Sequence, residues 1–251
     1  MIIKYNQSQK EIWSHSANLM TGSLNQRVQN ATDYYELSNI NDSLLTENAK
    51  LLQSIINYRI YSKENQFQQF ETLDSTLLEY DFIPSRICGK TIKLRNNHIT
   101  LCKGTKDSIQ VGMGVVSSDG IVGIVKNVSE NYAQVMTILH SQSRISAAIM
   151  SNDFHGTLIW EGDDPLKMSL ITLPKHAKIS LGDTIVTSGY STIYPFGIQI
   201  GTISEYSIDG GGNSYKVDID LFNDISKLSH VYVVKAKHSV EKVEIQETIE
   251  Q

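Results

Sequence analysis

Apolar residues recur at helical spacing through the first third of the chain, which from Asn6 to Tyr80 has no proline and one glycine, Gly22. In "YYELSNINDSLLTENAKLLQSIINYRIY" Leu37, Ile40, Leu44, Leu51 and Tyr58 take the a, d, a, a and a positions of a heptad, with Glu47 and Ser54 at the skipped d positions. A second register departs after Leu44 through Asn48, Leu52 and Ile55. Either register leaves one apolar stripe and one polar face, and predicts a long α-helix over 31–78. Such a helix either packs on its own domain or pairs in a coiled coil. A helix of about 35 to 45 residues extends roughly 50 to 70 Å, more than a small domain is wide, which favours pairing. The predicted dimer contacts are Leu37, Ile40, Leu44, Asn48, Leu51 and Tyr58, with Asn48 near an a position setting register and a two-stranded state.

After Pro84 the period becomes two. "RICGKTIKLRNNHITLCKG" reads as a hairpin, "GVVSSDGIVGIV" as two strands about a Ser118-Asp119-Gly120 turn, and further β-branched runs follow to "HVYVVKA". About ten to twelve short strands are expected, with turn signals roughly every 8 to 12 residues. No helix-length pattern lies between them, which points to antiparallel sheets closed into two small β-barrels, not to βαβ units. The predicted class is mainly β with a long N-terminal helix: a leading segment 1–30, a coiled-coil helix 31–78, a first barrel 79–153, a second barrel 154–236, and a charged tail 237–251 that frays.

The net charge of −5 weighs against binding nucleic acid through its backbone. Seven His and two Cys, scattered along the chain, do not form a zinc framework, and no metal or cofactor is predicted. A two-residue turn at Asn96-Asn97 sets Cys102 opposite Thr91, so a Cys88–Cys102 bridge needs another register or a bulge. No apolar run approaches the roughly 18 residues that span a bilayer.

"GDTIVTSGYSTIYPFGIQIGTI" poses the enzymatic question: Ser188 as the nucleophile of a chymotrypsin-like barrel. A serine hydrolase needs a base within reach, a group that orients it, and amides forming an oxyanion hole. Asp183 and Ser188 stand five apart with a strand between them, and His98, His140 and His155 lie in no recognisable catalytic setting. Turn chemistry explains the segment more simply, with Gly189 supplying a positive φ. Asp218 and Asp220 alternate with apolar residues and share one face of a strand, while Asp163-Asp164-Pro165 reads as a turn. Gly123 within a strand marks a bulge or a close backbone approach, and Trp160 reads as core.

The order of these pieces resembles the MreC family, the rod-shape-determining proteins of bacterial cell-wall elongation. The resemblance runs from about Tyr34 to Val234. Its most specific parts are K-G-x-x-D-x-(I/V)-x-x-G-M-x-V, at Lys103, Gly104, Asp107, Gly112 and Met113, and G-D-x-x-x-T-S-G…P-x-G-I-x-I-G, at Gly182, Asp183, Thr187, Ser188, Gly189, Pro195, Gly197, Ile198 and Gly201. Gly120 and Gly123 lie between them. The resemblance implies a non-catalytic scaffold on the periplasmic face of the inner membrane. It implies a homodimer, open to further assembly, that binds a class B penicillin-binding transpeptidase. It also implies work with an MreD-like membrane protein and, indirectly, the MreB filament. The family's transmembrane helix has no counterpart here, and an apolar segment encoded upstream is the expectation. The alternatives are the Ser188 hydrolase and a coiled-coil adaptor unrelated to cell-wall growth.

Overall fold

The computed structural model describes residues 36–60, 62, 80–152, 154–191, 193–208 and 214–236. The leading segment 1–30, the predicted helix beyond residue 62, the Gly210–Gly212 loop and the tail lie outside the described residues. The chain divides between Glu47 and Asn48. On the N-terminal side, residues 36–47 are helical, and Leu37, Ile40 and Leu44 are all exposed. This helix, α1, is assigned over 36–60. Among the described residues no helix is long and apolar enough to cross a membrane.

From Asn48 onward α1 leads into twelve described strands. They are β1 (Tyr80–Lys90), β2 (Asn96–Leu101), β3 (Gly114–Val116), β4 (Ile121–Val128), β5 (Ala133–His140) and β6 (Ile145–Ile149), then β7 (His155–Ile159), β8 (Lys167–Pro174), β9 (Thr184–Thr187), β10 (Gln199–Ile208), β11 (Ser214–Leu221) and β12 (His230–Ala236). They close into two antiparallel barrels, in the order β1-β12-β3-β4-β5-β2 and β10-β11-β8-β7-β6-β9. Closure leaves no sheet edge unpaired, which is how short β-branched strands avoid pairing with other chains.

The strand assignment corrects the predicted boundaries in two places. β6 belongs to the second barrel, so the division falls in the Ser141–Arg144 linker and not at 153/154. β12 belongs to the first, pairing with β1 from Tyr80↔Ala236 to Arg86↔His230 and with β3 from Tyr232↔Val116 to Val234↔Gly114. The second barrel is therefore an insertion between β5 and β12. A partner so far along the chain leaves no trace in local periodicity.

The hairpin β1–β2 also differs from expectation. Asn97 is not a turn residue. It is fully buried, its amide donates to the carbonyls of Leu94 and Leu139, and its Oδ1 accepts from the Leu94 amide at 3.0 Å. The connection is thereby lengthened, and Thr91 pairs with His98, not with Cys102. A bulge between Ile87 and Gly89 then brings Cys88 beside Cys102, and the two are joined as a disulfide with Cα atoms 5.5 Å apart.

Burial follows the strand period in β2, where Asn97, Ile99 and Leu101 point inward. In β4 and β5 the alternation is lost: Ile121 to Val125 and Val135 to His140 are buried without a break. A strand buried on both faces reads as a continuous apolar run. Here the second face of β4 is covered by the second barrel.

The insertion has a direct consequence. Ending the chain at Lys227 removes β12, so amide protection should vanish from β1 and β3 while it persists in β6 through β11. Hydrogen exchange read by mass spectrometry checks this, and retained protection in β1 would show that the first barrel closes without its last strand.

Candidate functional site

The second motif builds the place where helix and barrels meet. Gly182 has φ +85, and its amide donates to the Ile203 carbonyl at 2.9 Å; the Asp183 carboxylate accepts from the Ser180 amide at 3.0 Å, so the pair turns the chain into β9. Thr187 ends the strand with its hydroxyl donating to the Pro195 carbonyl at 2.6 Å and accepting from the Ile198 amide at 3.0 Å. Those two bonds cinch residues 188–197 into a projecting loop. Gly201 lies so close to the Asp220 carbonyl that a Cβ has no room.

The loop carries Tyr194 into the first barrel. Its ring is 3 % exposed and its hydroxyl donates to the Gly123 carbonyl of β4. Burial pushes the phenol far above its ordinary range, so it stays protonated and donating. Gly114 makes the approach possible, since a Cβ there would sit 2.5 Å from the Ile193 carbonyl and 2.8 Å from the Tyr194 ring. Gly123 likewise has no room for a Cβ, which would strike the Met136 carbonyl. Gly120 lets the β3–β4 turn lie against the Gln199 carbonyl, which a Cβ there would meet at 2.6 Å, and Asn223 adds a bond from its amide to the Ile121 carbonyl at 2.9 Å.

The same loop also holds α1. Gly197 has φ +88, a conformation that costs a residue with a Cβ roughly 1 kcal/mol or more. Its carbonyl accepts from the Arg59 guanidinium at 2.6 Å. Gln53 donates to the Asp81 carboxylate at 2.6 Å, and Asn57 donates to the Tyr80 carbonyl at 3.4 Å. Ala49 and Ile56 are buried on this face of the helix. A cleft of about 150 Å³ beside it is lined by Leu52, Ile56, Arg59, Phe82, Val116 and Ile198. Leu51 and Tyr58 point away and are 56 % and 55 % exposed, while Ile55 lines the rim of the cleft and is 48 % exposed. Asn48 is exposed as well. From Asn48 on, α1 thus has two apolar faces, one docked and one bare.

The first motif caps the first barrel. The Asp107 carboxylate accepts from the Gly104 amide at 3.1 Å, and Gly104 packs on the backbone of Ser129 and Glu130 where a Cβ would clash. Lys106 pairs with Glu130 at 2.8 Å, Ile109 is fully buried, and the Gly112 amide donates to the Val125 carbonyl at 2.9 Å. Met113 accepts from the Gln110 amide through sulfur, and Lys103 is half-buried.

Ser188 is 7 % exposed; its hydroxyl donates to Ser146 at 2.8 Å and accepts from the Tyr190 amide at 3.3 Å. It tethers β9 to β6. The next residue, Gly189, has φ +74 and rests on Phe196. His155 packs on Tyr190, and His98 on His140. Asp218 accepts from Ser169 and Asp220 pairs loosely with Lys167, while Trp160 is buried with its indole donating to the Asp164 carbonyl. The sequence reading missed Tyr194, Asn223 and Arg59. Only the first left a signal, an aromatic residue ahead of proline in a turn-rich loop.

The model of the family described as "Rod shape-determining protein MreC, barrel core" matches residues 87–235, more than half of the chain. The cell shape-determining protein MreC of Listeria monocytogenes is 29 % identical over 178 residues, covering 69 % of this chain and 60 % of that protein. The chain therefore spans less than two thirds of that relative's length. A solved structure of MreC from Listeria monocytogenes has a TM-score of 0.60 at 22 % identity and covers 80 % of this chain and 94 % of that one. MreC in the solved complex of penicillin-binding protein PBP2 and MreC from Helicobacter pylori has a TM-score of 0.53 at 19 % identity, covering 63 % of this chain and 99 % of that one. Both likenesses are likenesses of fold.

Two outcomes follow from the junction. Tyr194→Phe leaves the buried Gly123 carbonyl without its donor and should lower stability by about 1–3 kcal/mol, read from urea midpoints. An unchanged midpoint would remove Tyr194 as the polar tie between barrels. His140 ends β5 at the inter-barrel linker, and its Nδ1 accepts from the Gln142 amide at 3.1 Å. Burial first, then His98 and Lys126, hold its pKa below the ordinary imidazole value. The folded state therefore binds the proton less well than the unfolded chain. Stability should be full above about pH 6.5 and fall as pH drops below it, levelling off once His140 is charged in the folded state too. Unfolding midpoints from pH 8 to pH 5 check the slope, which His140→Gln should flatten.

Proposed function

The chain belongs to the MreC family of rod shape-determining proteins, and from that premise we propose that it is a non-catalytic scaffold that maintains cell shape from the periplasmic face of the inner membrane. It works as a homodimer. α1 pairs with its copy through Leu37, Ile40, Leu44, Asn48, Leu51 and Tyr58, and the barrels present surfaces to a class B penicillin-binding transpeptidase. An MreD-like membrane protein and, through it, the MreB filament complete the assembly.

The observation that carries the reading is the doubled face of α1. Its docked face fixes the helix to both barrels by Gln53, Asn57 and Arg59. Its bare face keeps large apolar side chains in water, a cost of about 1.5–3 kcal/mol for each that a partner helix would relieve. The solved complex of a fold relative with a penicillin-binding protein supports the choice of partner. Ser188, spent on Ser146 and the loop backbone, supports packing over chemistry. The mechanism is avidity: two modest barrel contacts joined by one helix pair raise the effective concentration of the second contact.

Leu44→Lys with Leu51→Lys places four cations in the helix pair. It should weaken self-association by about 100-fold or more while the barrels stay folded. Sedimentation equilibrium beside circular dichroism reads both. An unchanged mass would remove α1 as the dimerising element.

A further inference from the structure

The chain has two cysteines, and the fold joins them. Cys88 is exposed on β1, and Cys102 is half-buried just past the end of β2. Leu101 points into the core, so the next residue along the strand turns outward. The Cys102 amide donates to the Arg86 carbonyl at 3.0 Å, and the bulge between Ile87 and Gly89 shifts Cys88 into line. The resulting Cα separation of 5.5 Å lies in the range that a disulfide bridges without backbone movement.

The bond sits where β1 changes partner. Residues 80–86 of β1 pair with β12, and Ile87, Gly89 and Lys90 pair with β2. The β1–β2 seam is thus short and interrupted by a bulge, and it is the seam the disulfide crosses. Arg86 and Lys90 lie exposed on the same stretch of β1, so Cys88 is reached from solvent along an open strand face.

We propose that the first barrel is a substrate for thiol–disulfide exchange, entered at Cys88, and that its β1–β2 seam is sealed by a disulfide-bearing oxidant in a compartment that does not reduce thiols. The Cys88 thiolate attacks one sulfur of the oxidant's disulfide, forms a mixed disulfide and releases the other sulfur as a thiolate. The Cys102 thiolate then attacks the Cys88 sulfur, forms the Cys88–Cys102 bond and expels the oxidant's second thiolate. The barrel loses two electrons and two protons, and the oxidant's disulfide becomes two thiols. This inference stands apart from the scaffold reading: the exchange follows from the seam whatever the barrels bind.

The test uses the full chain, reduced and then exposed to excess glutathione disulfide in the folded state. Intact mass and maleimide labelling after denaturation read the product. The wild-type chain should end with no thiol free and no glutathione attached, and recover both thiols only on reduction. Cys102→Ser should hold one glutathione on Cys88, and Cys88→Ser should react about fivefold or more slowly at half-buried Cys102. A wild-type chain that keeps both thiols free, or carries glutathione on each, would overturn the proposal. So would adducts that form as fast on Cys102 as on Cys88, since exposure would then not choose the entry point.

Discussion

The phenol of Tyr194 has to reach a carbonyl deep in the neighbouring barrel, and the surrounding structure is shaped by that reach. A buried hydroxyl without a partner costs about 1–3 kcal/mol, so the ring enters only where the Gly123 carbonyl is free to accept from it. Gly114 stands where a side chain would block the way, and Gly123 where one would strike the Met136 carbonyl of the neighbouring strand. The loop that presents Tyr194 is held by the two bonds of the Thr187 hydroxyl and turned by Gly189 and Gly197. The glycines, Thr187 and Pro195 of the second motif are thus parts of one device, and their spacing is the geometry of a loop that must project and yet stay rigid.

Gly197 extends the device to the helix. Its carbonyl meets Arg59, so the segment that locks the barrels together also sets where α1 lies against them. A scaffold needs its surfaces held at defined angles to one another. Here one ten-residue loop touches both barrels and the docked helix, and loosening it would release all three.

The parts legible in the sequence were those fixed by near neighbours. The bare stripe of Leu51 and Tyr58, the Ser118-Asp119-Gly120 turn and the shared face of Asp218 and Asp220 follow from spacing alone. What stayed hidden was decided at long range. β12 reads like any other strand, yet its partners β1 and β3 lie more than a hundred residues earlier. Asn97 carries turn chemistry in its side chain and instead fills a buried site, because the Leu139 carbonyl is there to accept from it. Tyr194 and Arg59 become informative only when a second barrel and a helix end stand beside them. The unbroken apolar runs of β4 and β5 did carry a message, that both faces are covered, without saying by what.

A ribosome makes this chain from its first residue, and the nesting of the barrels then imposes an order. β1 through β5 emerge early and have no means of closing, because the strand that belongs between β1 and β3 is the last of the described strands to appear. The inserted barrel has all six of its strands within Ile145–Leu221 and can close while the outer one still waits. The second barrel in the sequence is therefore the first to be completed in time, and the early strands must be kept from other partners until β12 has been made.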